Sequence, residues 1–156
     1  MFPVVAAFPP CRAHDLYWPF ENCPLALQRN PADEAYWLDW RADGSMIQTT
    51  IRVARIGADV VTTRLHRGSM FGKERCLKRR LTMGDWARVE DAVVAASFWM
   101  LDENQLNLGS FGGANWMIAG RRRHDYHLVK RLNPHDGLYD LGRLMFDLAG
   151  LDAVSL

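Results

Sequence analysis

Apolar and polar residues alternate with a period of two in several short segments of the chain, which is the pattern of β-strands. Between residues 47 and 53 the odd positions are apolar or β-branched and the even positions are polar, as expected for a strand with one face in water. Gly57 ends this segment and residues 60–66 alternate in the same way, so the two segments predict an antiparallel hairpin. Further strands are predicted at residues 36–40, 76–81, 116–118 and 126–130.

The period changes to that of an α-helix in two other segments. Residues 83–100 carry one apolar stripe and follow Thr82, a favoured N-cap with an acidic residue three positions later. A last helix is predicted to begin with Asn133 as N-cap and Pro134 as first helical residue, and to end at Gly150. Because strands and helices are segregated along the chain, the predicted fold is α+β, an antiparallel sheet of about five strands with two main helices packed on one face.

Residues 1–33 differ in character from the rest of the chain. They are rich in Pro, Cys and aromatic residues and lack a clear period. We predict an irregular N-terminal arm that packs on a single α+β domain formed by residues 34–156, a length that suits one domain. The arm could pack on its own domain or swap to a neighbouring chain. The aromatic residues expected to hold it in place are Phe8, Tyr17, Trp18 and Phe20.

Composition and charge narrow the possible partners and the compartment. The formal net charge is +1, so the chain has no overall field to steer it towards nucleic acid or an anionic membrane. Its three cysteines form no C-x-x-C motif, which favours reduced thiols, although an oxidising compartment would allow a Cys11–Cys23 bridge. The longest apolar stretch, about residues 92–101, is half of what a bilayer requires. We therefore expect a soluble, cytoplasmic protein that does not enter a membrane.

Three motifs could carry chemistry, and each has a plainer structural interpretation. His124 and His127 have a metal-site spacing, but positions three apart on a strand face opposite sides, and no further ligand stands at a suitable spacing from them or from His135. Cys76 lies among cations that favour a reactive thiolate, yet a buried strand cysteine is the commoner case. The glycines of residues 109–115 precede a strand rather than a helix, so they form no phosphate cradle. No catalytic residue, metal or cofactor is predicted.

Basic residues cluster around both predicted hairpins, and this is the strongest signal for a binding surface. Residues 64–80 hold seven Arg or Lys against one Glu, and residues 121–131 hold five against one Asp. If both hairpins belong to one sheet, these charges could share a face and meet an acidic protein or a nucleic acid. A charged sheet edge that resists strand pairing is the alternative. The residues predicted to make contact are Arg121, Arg122, Arg123, Tyr126, His127 and Arg131.

Six short motifs follow one another from residue 34 onward. They are Glu34-Ala35-Tyr36, Leu81-Thr82 with Trp86, Phe98-Trp99, Gly113-Ala114-Asn115-Trp116, Tyr126-His127 and Arg131-Leu132-Asn133-Pro134. In this order, over about residues 34–151, they resemble a family of uncharacterised bacterial proteins to which no activity is assigned. The resemblance therefore implies a fold rather than a function.

Two positions depart from the pattern of that family. Gly112 stands where the family has an acidic residue before Gly-Ala, and Ala119 stands where it has an acid after the Trp strand. If those acids carry chemistry in the relatives, this chain lacks that chemistry.

Three hypotheses from different functional classes follow. We favour a non-enzymatic protein-interaction module, such as a small bacterial inhibitor or a toxin-immunity-like protein, that binds a protein partner through an Arg-rich face of the sheet. The alternatives are a nucleic-acid-associated domain and a small enzyme that uses Cys76, His127 or a carboxylate. The tryptophans assigned to the core are Trp86, Trp99 and Trp116.

Overall fold

The computed structural model of the protein describes residues 34–42, 48–67, 75–103, 113–123 and 125–151, with the backbone alone for residues 63–67 and 75–77. Several sequence predictions fall outside this description. They are the N-terminal arm, the Cys11–Cys23 bridge, the glycines before Gly113, His124 and the side chain of Cys76. Each of these stays a prediction.

Six strands lie in the described residues and form one antiparallel sheet. They are β1 (Glu34–Ala42), β2 (Gln48–Ile56), β3 (Asp59–Arg67), β4 (Arg75–Leu81), β5 (Ala114–Arg122) and β6 (Asp125–Leu132). Their order across the sheet is β4-β3-β2-β1-β5-β6. The first four strands form a meander, and β5 then pairs with the free edge of β1, which places β1 near the middle of the sheet.

The sheet has six strands where the sequence predicted about five. The strand predicted at residues 36–40 extends two residues further at each end, because β1 pairs over its length with a neighbour on both sides. The hairpin predicted around Gly57 is confirmed. Gly57 adopts φ +59° in its turn, a left-handed conformation that glycine adopts at little steric cost.

The first helix, α1, spans Met83–Ala95 and begins as the sequence predicted. The Thr82 hydroxyl accepts a hydrogen bond from the backbone N–H of Asp85, and the Asp85 carboxylate accepts one from the N–H of Thr82, which completes a capping box. The helix is shorter than the predicted 83–100, because Ser97 adopts φ 49° and breaks it. The chain continues as a single 3-10 turn, Phe98–Met100.

The second helix, α2, spans Gly137–Leu148, and its predicted start is wrong. Its N-cap is Asp136, whose carboxylate accepts a hydrogen bond from the N–H of Leu138. Asn133 instead adopts φ 48° and accepts a hydrogen bond of 2.7 Å from the N–H of Ala114, so it ties the end of β6 to the start of β5. The predicted stop is confirmed, because Gly150 adopts φ 72° and closes the last turn through a Schellman pair of hydrogen bonds.

Both helices pack on one face of the sheet, called here the helix face, and contact each other. Trp86 and Trp116 are buried in this core as predicted, and Trp99 is half-buried against it. The opposite face, called here the far face, carries a smaller buried cluster of Ala35, Trp37, Ala54 and Ala119. No helix in the described ranges is long and apolar enough to cross a membrane.

Candidate functional site

The six residues predicted to make contact do not lie on one surface. Side chains alternate between the two faces along β5 and β6, so Arg121 and Tyr126 lie on the far face, and Arg122 lies on the helix face. His127 and Arg131 also lie on the helix face. Arg123 occupies the hairpin turn, where it adopts φ 55° and is exposed.

Two of these residues make contacts within the protein that stabilise the fold. Arg131 is buried, and its guanidinium donates hydrogen bonds to the carbonyl oxygens of Asp102, Glu103 and Lys130. These bonds hold the segment after the 3-10 turn against β6. Tyr126 packs against the buried alanine and tryptophan cluster of the far face.

His127 also links the segment after the 3-10 turn to β6. Its Nε2 lies 2.8 Å from the carbonyl oxygen of Leu101, and it must donate because a carbonyl only accepts. The imidazole ring also packs edge-on against Phe98, with ring centroids 5.3 Å apart. These contacts orient His127 towards the 3-10 turn.

The two basic hairpins lie in one sheet but at its opposite edges. β3 and β4 form one edge and β6 forms the other, with β2, β1 and β5 between them. The two clusters of basic residues found in the sequence are therefore separated by the central strands.

The structure brings together a different set of residues at one end of the helix face. Glu34 on β1 is in direct register with Arg55 on β2 and with Arg122 on β5. These three residues form a row across the central strands, called here the Arg–Glu–Arg row. Glu34 is buried at its centre, while Arg55 is half-buried and Arg122 is exposed.

The carboxylate of Glu34 is fixed by a buried tyrosine two residues along the same strand. The Tyr36 hydroxyl donates to Glu34 Oε1 over 2.6 Å, and Tyr36 is 1% exposed. Burial raises the pKa of the Tyr36 phenol well above its usual value, and the hydrogen bond and negative charge of Glu34 raise it further. The nearby Trp99 indole and the positive charge of Arg122 oppose this rise but do not cancel it.

Each arginine of the row lies over a tryptophan and forms no ion pair with Glu34 in the described ranges. The Arg55 guanidinium carbon is 5.9 Å from the centre of the Trp86 ring, and that of Arg122 is 5.2 Å from the centre of the Trp99 ring. Within the described ranges neither guanidinium forms a hydrogen bond or an ion pair, and Arg55 Nε is buried without a partner. The two cations therefore lie within cation–π range of the indole rings and give no hydrogen bond to the described part of the chain.

The Tyr36 ring joins the two arginine–tryptophan pairs into one cluster. Its centroid lies 6.1 Å from Trp86 and 6.3 Å from Trp99. Trp86 is fixed in turn by a hydrogen bond of 2.9 Å from its indole N–H to Glu90. The Trp99 indole N–H is buried and outside hydrogen-bond geometry, although it lies close enough to Tyr36 to favour the phenolate.

Gly120 makes this close packing possible on β5. It faces Tyr36 across the strand pair, and a Cβ atom at this position would lie 2.6 Å from the Phe98 ring and 2.8 Å from the Tyr36 ring. Only a glycine lets both rings lie directly on the strand.

The sequence predictions named Arg122 and His127 as contact residues and Trp86 and Trp99 as core residues, but they did not bring them together in one site. Glu34 and Tyr36 were noted only as one motif of the family resemblance, and Arg55 was not singled out. The available signal was the set of motifs itself: Glu34, Tyr36, Trp86, Phe98, Trp99 and His127 all come from it and meet here. Within the described ranges, no group of three or more His, Cys, Asp or Glu residues is placed to hold a metal ion.

Comparisons with known proteins add no family to this description. No family model matches the chain, and no curated protein matches it.

Proposed function

We propose that this protein is a non-enzymatic interaction module, such as a small cytoplasmic inhibitor or toxin-immunity-like protein, that binds a protein partner through the charged end of its helix face. The observation that carries this proposal is the exposure of two apolar side chains that lie close along the chain to Trp99, the ring under Arg122. Met100 is 85% exposed and Val94 is 78% exposed.

These apolar residues lie close to Trp99 along the chain. Met100 follows Trp99 in the 3-10 turn, and Val94 accepts the backbone hydrogen bond that leads into that turn, from the N–H of Ser97. Arg123 extends the surface at the tip of the hairpin, where it is exposed. Tryptophan, arginine and methionine are enriched in the centres of protein interfaces.

The chemistry of the buried residues favours binding over catalysis. Because the pKa of Tyr36 is raised, its phenol stays protonated at neutral pH and acts as a donor to Glu34, not as a base or nucleophile. His127 has one ring nitrogen occupied by the Leu101 carbonyl.

Site-specific photo-crosslinking in the cells that encode the protein tests the proposal. A photoreactive amino acid replaces Met100 in the full chain, and a matched variant carries it at Asp140, an exposed position on α2. We expect one discrete crosslinked protein from position 100 and none from position 140, and we expect Arg122→Ala to reduce its yield. Equal crosslinking from both positions, or none from position 100, would overturn the proposal.

A nucleic-acid-associated domain is the second candidate, favoured by the charges on the far face. Among the residues whose side chains the structure describes, alternation along the strands places six cationic residues on that face. They are Arg41, Arg52, Lys78, Arg80, Arg121 and Lys130. Ion pairs of Arg41 with Asp39 and of Arg80 with Asp59 reduce the positive charge that this face presents. Binding to a generic oligonucleotide that weakens steeply with salt would support this candidate, and a flat titration at low salt would exclude it.

A further inference from the structure

The Arg–Glu–Arg row contains two cations that leave a nearby carboxylate unpaired. In adjacent antiparallel strands, residues in direct register have Cβ atoms about 5 Å apart, so both Arg55 and Arg122 start within reach of Glu34. Neither forms an ion pair with it in the described part of the chain; Glu34 Oε1 is bonded to Tyr36 instead. The guanidinium groups are held on Trp86 and Trp99.

We infer that the Arg–Glu–Arg row is a carboxylate-binding site, in which Arg55 and Arg122 together grip an acidic side chain of a protein partner. This inference rests on the proposed function and names the chemistry that the partner must present. The two strands that carry the arginines are separated by one strand, so their backbones lie about 10 Å apart. Arginine side chains are long enough for two guanidinium groups on strands at this spacing to reach one carboxylate between them.

Contact with the indoles positions both arginines for such a ligand. A guanidinium lying on an aromatic ring keeps its N–H edges free for in-plane hydrogen bonds. Its rotamer freedom is already reduced before binding, which lowers the entropy lost on association. Arg55 Nε is buried without a partner in the described ranges, so a carboxylate would reach the half-buried Arg55 through its terminal N–H groups.

Glu34 has a different role, because it lies beneath the arginines and is 7% exposed. Its negative charge offsets the repulsion between the two cations, and the Tyr36 hydroxyl occupies one of its two carboxylate oxygens. An incoming carboxylate meets the outer layer of guanidinium groups first. The exposed Met100, which follows Trp99 in the 3-10 turn, suits an apolar residue next to the acidic one.

NMR of the arginine Nε–Hε groups tests the site directly on the full chain. The probe is a capped peptide, acetyl-Leu-Glu-Asp-Leu-amide, and its control is the amide form, acetyl-Leu-Gln-Asn-Leu-amide. Arg143 serves as an internal reference, since it is exposed and also lies over an aromatic ring, 5.7 Å from the centre of Tyr139. We expect the Arg55 and Arg122 signals to shift together along one saturable curve with the acidic peptide only, while Arg143 does not move.

Matched variants complete the test. Arg122→Gln should weaken binding of the acidic peptide about tenfold or more, because one of two guanidinium groups is lost, and Arg143→Gln should leave it unchanged. Shifts at Arg55 and Arg122 no larger than that at Arg143, or separate midpoints for the two signals, would overturn the inference. Saturation by a single-stranded oligonucleotide without saturation by the acidic peptide would also overturn it, in favour of a phosphate ligand.

The NMR experiment and the crosslinking experiment can succeed or fail independently of each other. A partner captured at position 100 together with unmoved arginine signals would leave the interaction module standing and remove the carboxylate site. Shifted arginine signals without a captured partner would leave an anion-binding site on a surface with a different use.

Discussion

The two ends of the helix face share the same strands and are both rich in aromatic rings, yet they are built differently. At the end covered by α2, Trp40, Trp116 and Phe146 contact one another with ring centroids 6.0 and 6.2 Å apart. At the charged end, covered by α1, an arginine lies over each of the rings of Trp86 and Trp99, and the Tyr36 hydroxyl donates a hydrogen bond to the Glu34 carboxylate. We call the first the apolar end.

The difference separates residues that stabilise the fold from residues available for binding. In the apolar end, Trp116 packs where a Cβ atom of Gly142 would stand, so the helix lies directly on the ring and excludes water. In the charged end, two cations lie next to a carboxylate and bond to nothing in the described ranges. The buried Arg55 Nε without a partner costs stability, whereas the exposed Arg122 is open to water.

Two arginines of the helix face show the same difference between a residue that stabilises the fold and one available for binding. Arg131 and Arg122 lie on the same face and on neighbouring strands. Arg131 gives its donors to three backbone carbonyls and is buried, whereas Arg122 is exposed and rests on Trp99. An arginine in a basic cluster can therefore be part of the fold or part of a surface, depending on what its strand position faces.

The largest effect is expected at the apolar end. Trp116→Ala should lower the free energy of unfolding by about 3–5 kcal/mol, because it leaves a large cavity in a closed core. The half-buried Trp99 at the charged end is the matched control, and Trp99→Ala should cost clearly less. Urea unfolding of both variants gives the comparison, and equal losses would mean that the two ends are packed alike.

Tyr36→Phe tests the buried hydrogen bond of the charged end. We expect a loss of about 1.5–3 kcal/mol, since the bond goes to a charged group and the carboxylate is left with less support. The control is Tyr36→Phe in a chain that already carries Glu34→Gln. In that chain the loss of unfolding free energy caused by Tyr36→Phe should be smaller. A loss that is unchanged by Glu34→Gln would show that the two side chains are not coupled.

The raised pKa of Tyr36 also predicts how stability depends on alkaline pH. The unfolded chain loses this phenol proton near its ordinary pKa of about 10, while the folded chain keeps it. The contribution of Tyr36 is therefore complete below about pH 10 and is lost as the pH rises above it. In an ultraviolet titration, we expect one tyrosine to ionise only as the protein unfolds, and Tyr36→Phe to remove that phase. Its persistence in the variant would assign it to another tyrosine.

Gly120→Ala tests the close approach of the Tyr36 and Phe98 rings to β5. The added methyl group would overlap both rings, and overpacking of this kind costs about 1–3 kcal/mol. The same substitution at Gly84 meets only an ordinary contact of 3.5 Å to Thr82, so it should stabilise α1 by up to about 1 kcal/mol. Thermal or urea unfolding should show opposite signs, and a neutral Gly120→Ala would contradict the packing described here.

The smallest expected effect concerns the N-terminus of α1. Thr82→Ala should cost about 1 kcal/mol, because it removes the N-cap hydroxyl, whereas Thr82→Ser should cost little. Hydrogen bonds from Thr82 lower the pKa of Asp85. The stabilisation that Asp85 adds is thus present above the ordinary carboxyl pKa of about 3.9 and is lost as the pH falls through its lower folded value. A Thr82→Ala effect that grows in acid would contradict this.

Much of the local structure could be predicted from short-range patterns. The capping box at Thr82, the turn at Gly57 and the stop at Gly150 follow from residue types at fixed spacings, and all three are confirmed. The failures come from competing contacts at longer range. Asn133 is a good N-cap by type, but its side chain bonds to the backbone of β5 instead, and the predicted long helix breaks at Ser97 where Phe98 turns into the core.

The candidate site was less predictable, because its members are distant in the chain. Glu34, Arg55 and Arg122 come from three strands, and only the register of β1 with both neighbours places them in one row. The basic clusters in the sequence predicted a different binding surface. That prediction failed because neighbouring residues of a strand point to opposite faces of the sheet.

By itself, the sequence determined the type of each element, since periodicity, caps and turn residues act over a few neighbouring positions. The tertiary structure alone decided that β5 pairs with β1, and this pairing places Arg122 beside Glu34 and Trp99. The physical reason is that strand order and register depend on how all the apolar faces are buried together. Short-range patterns do not contain that information.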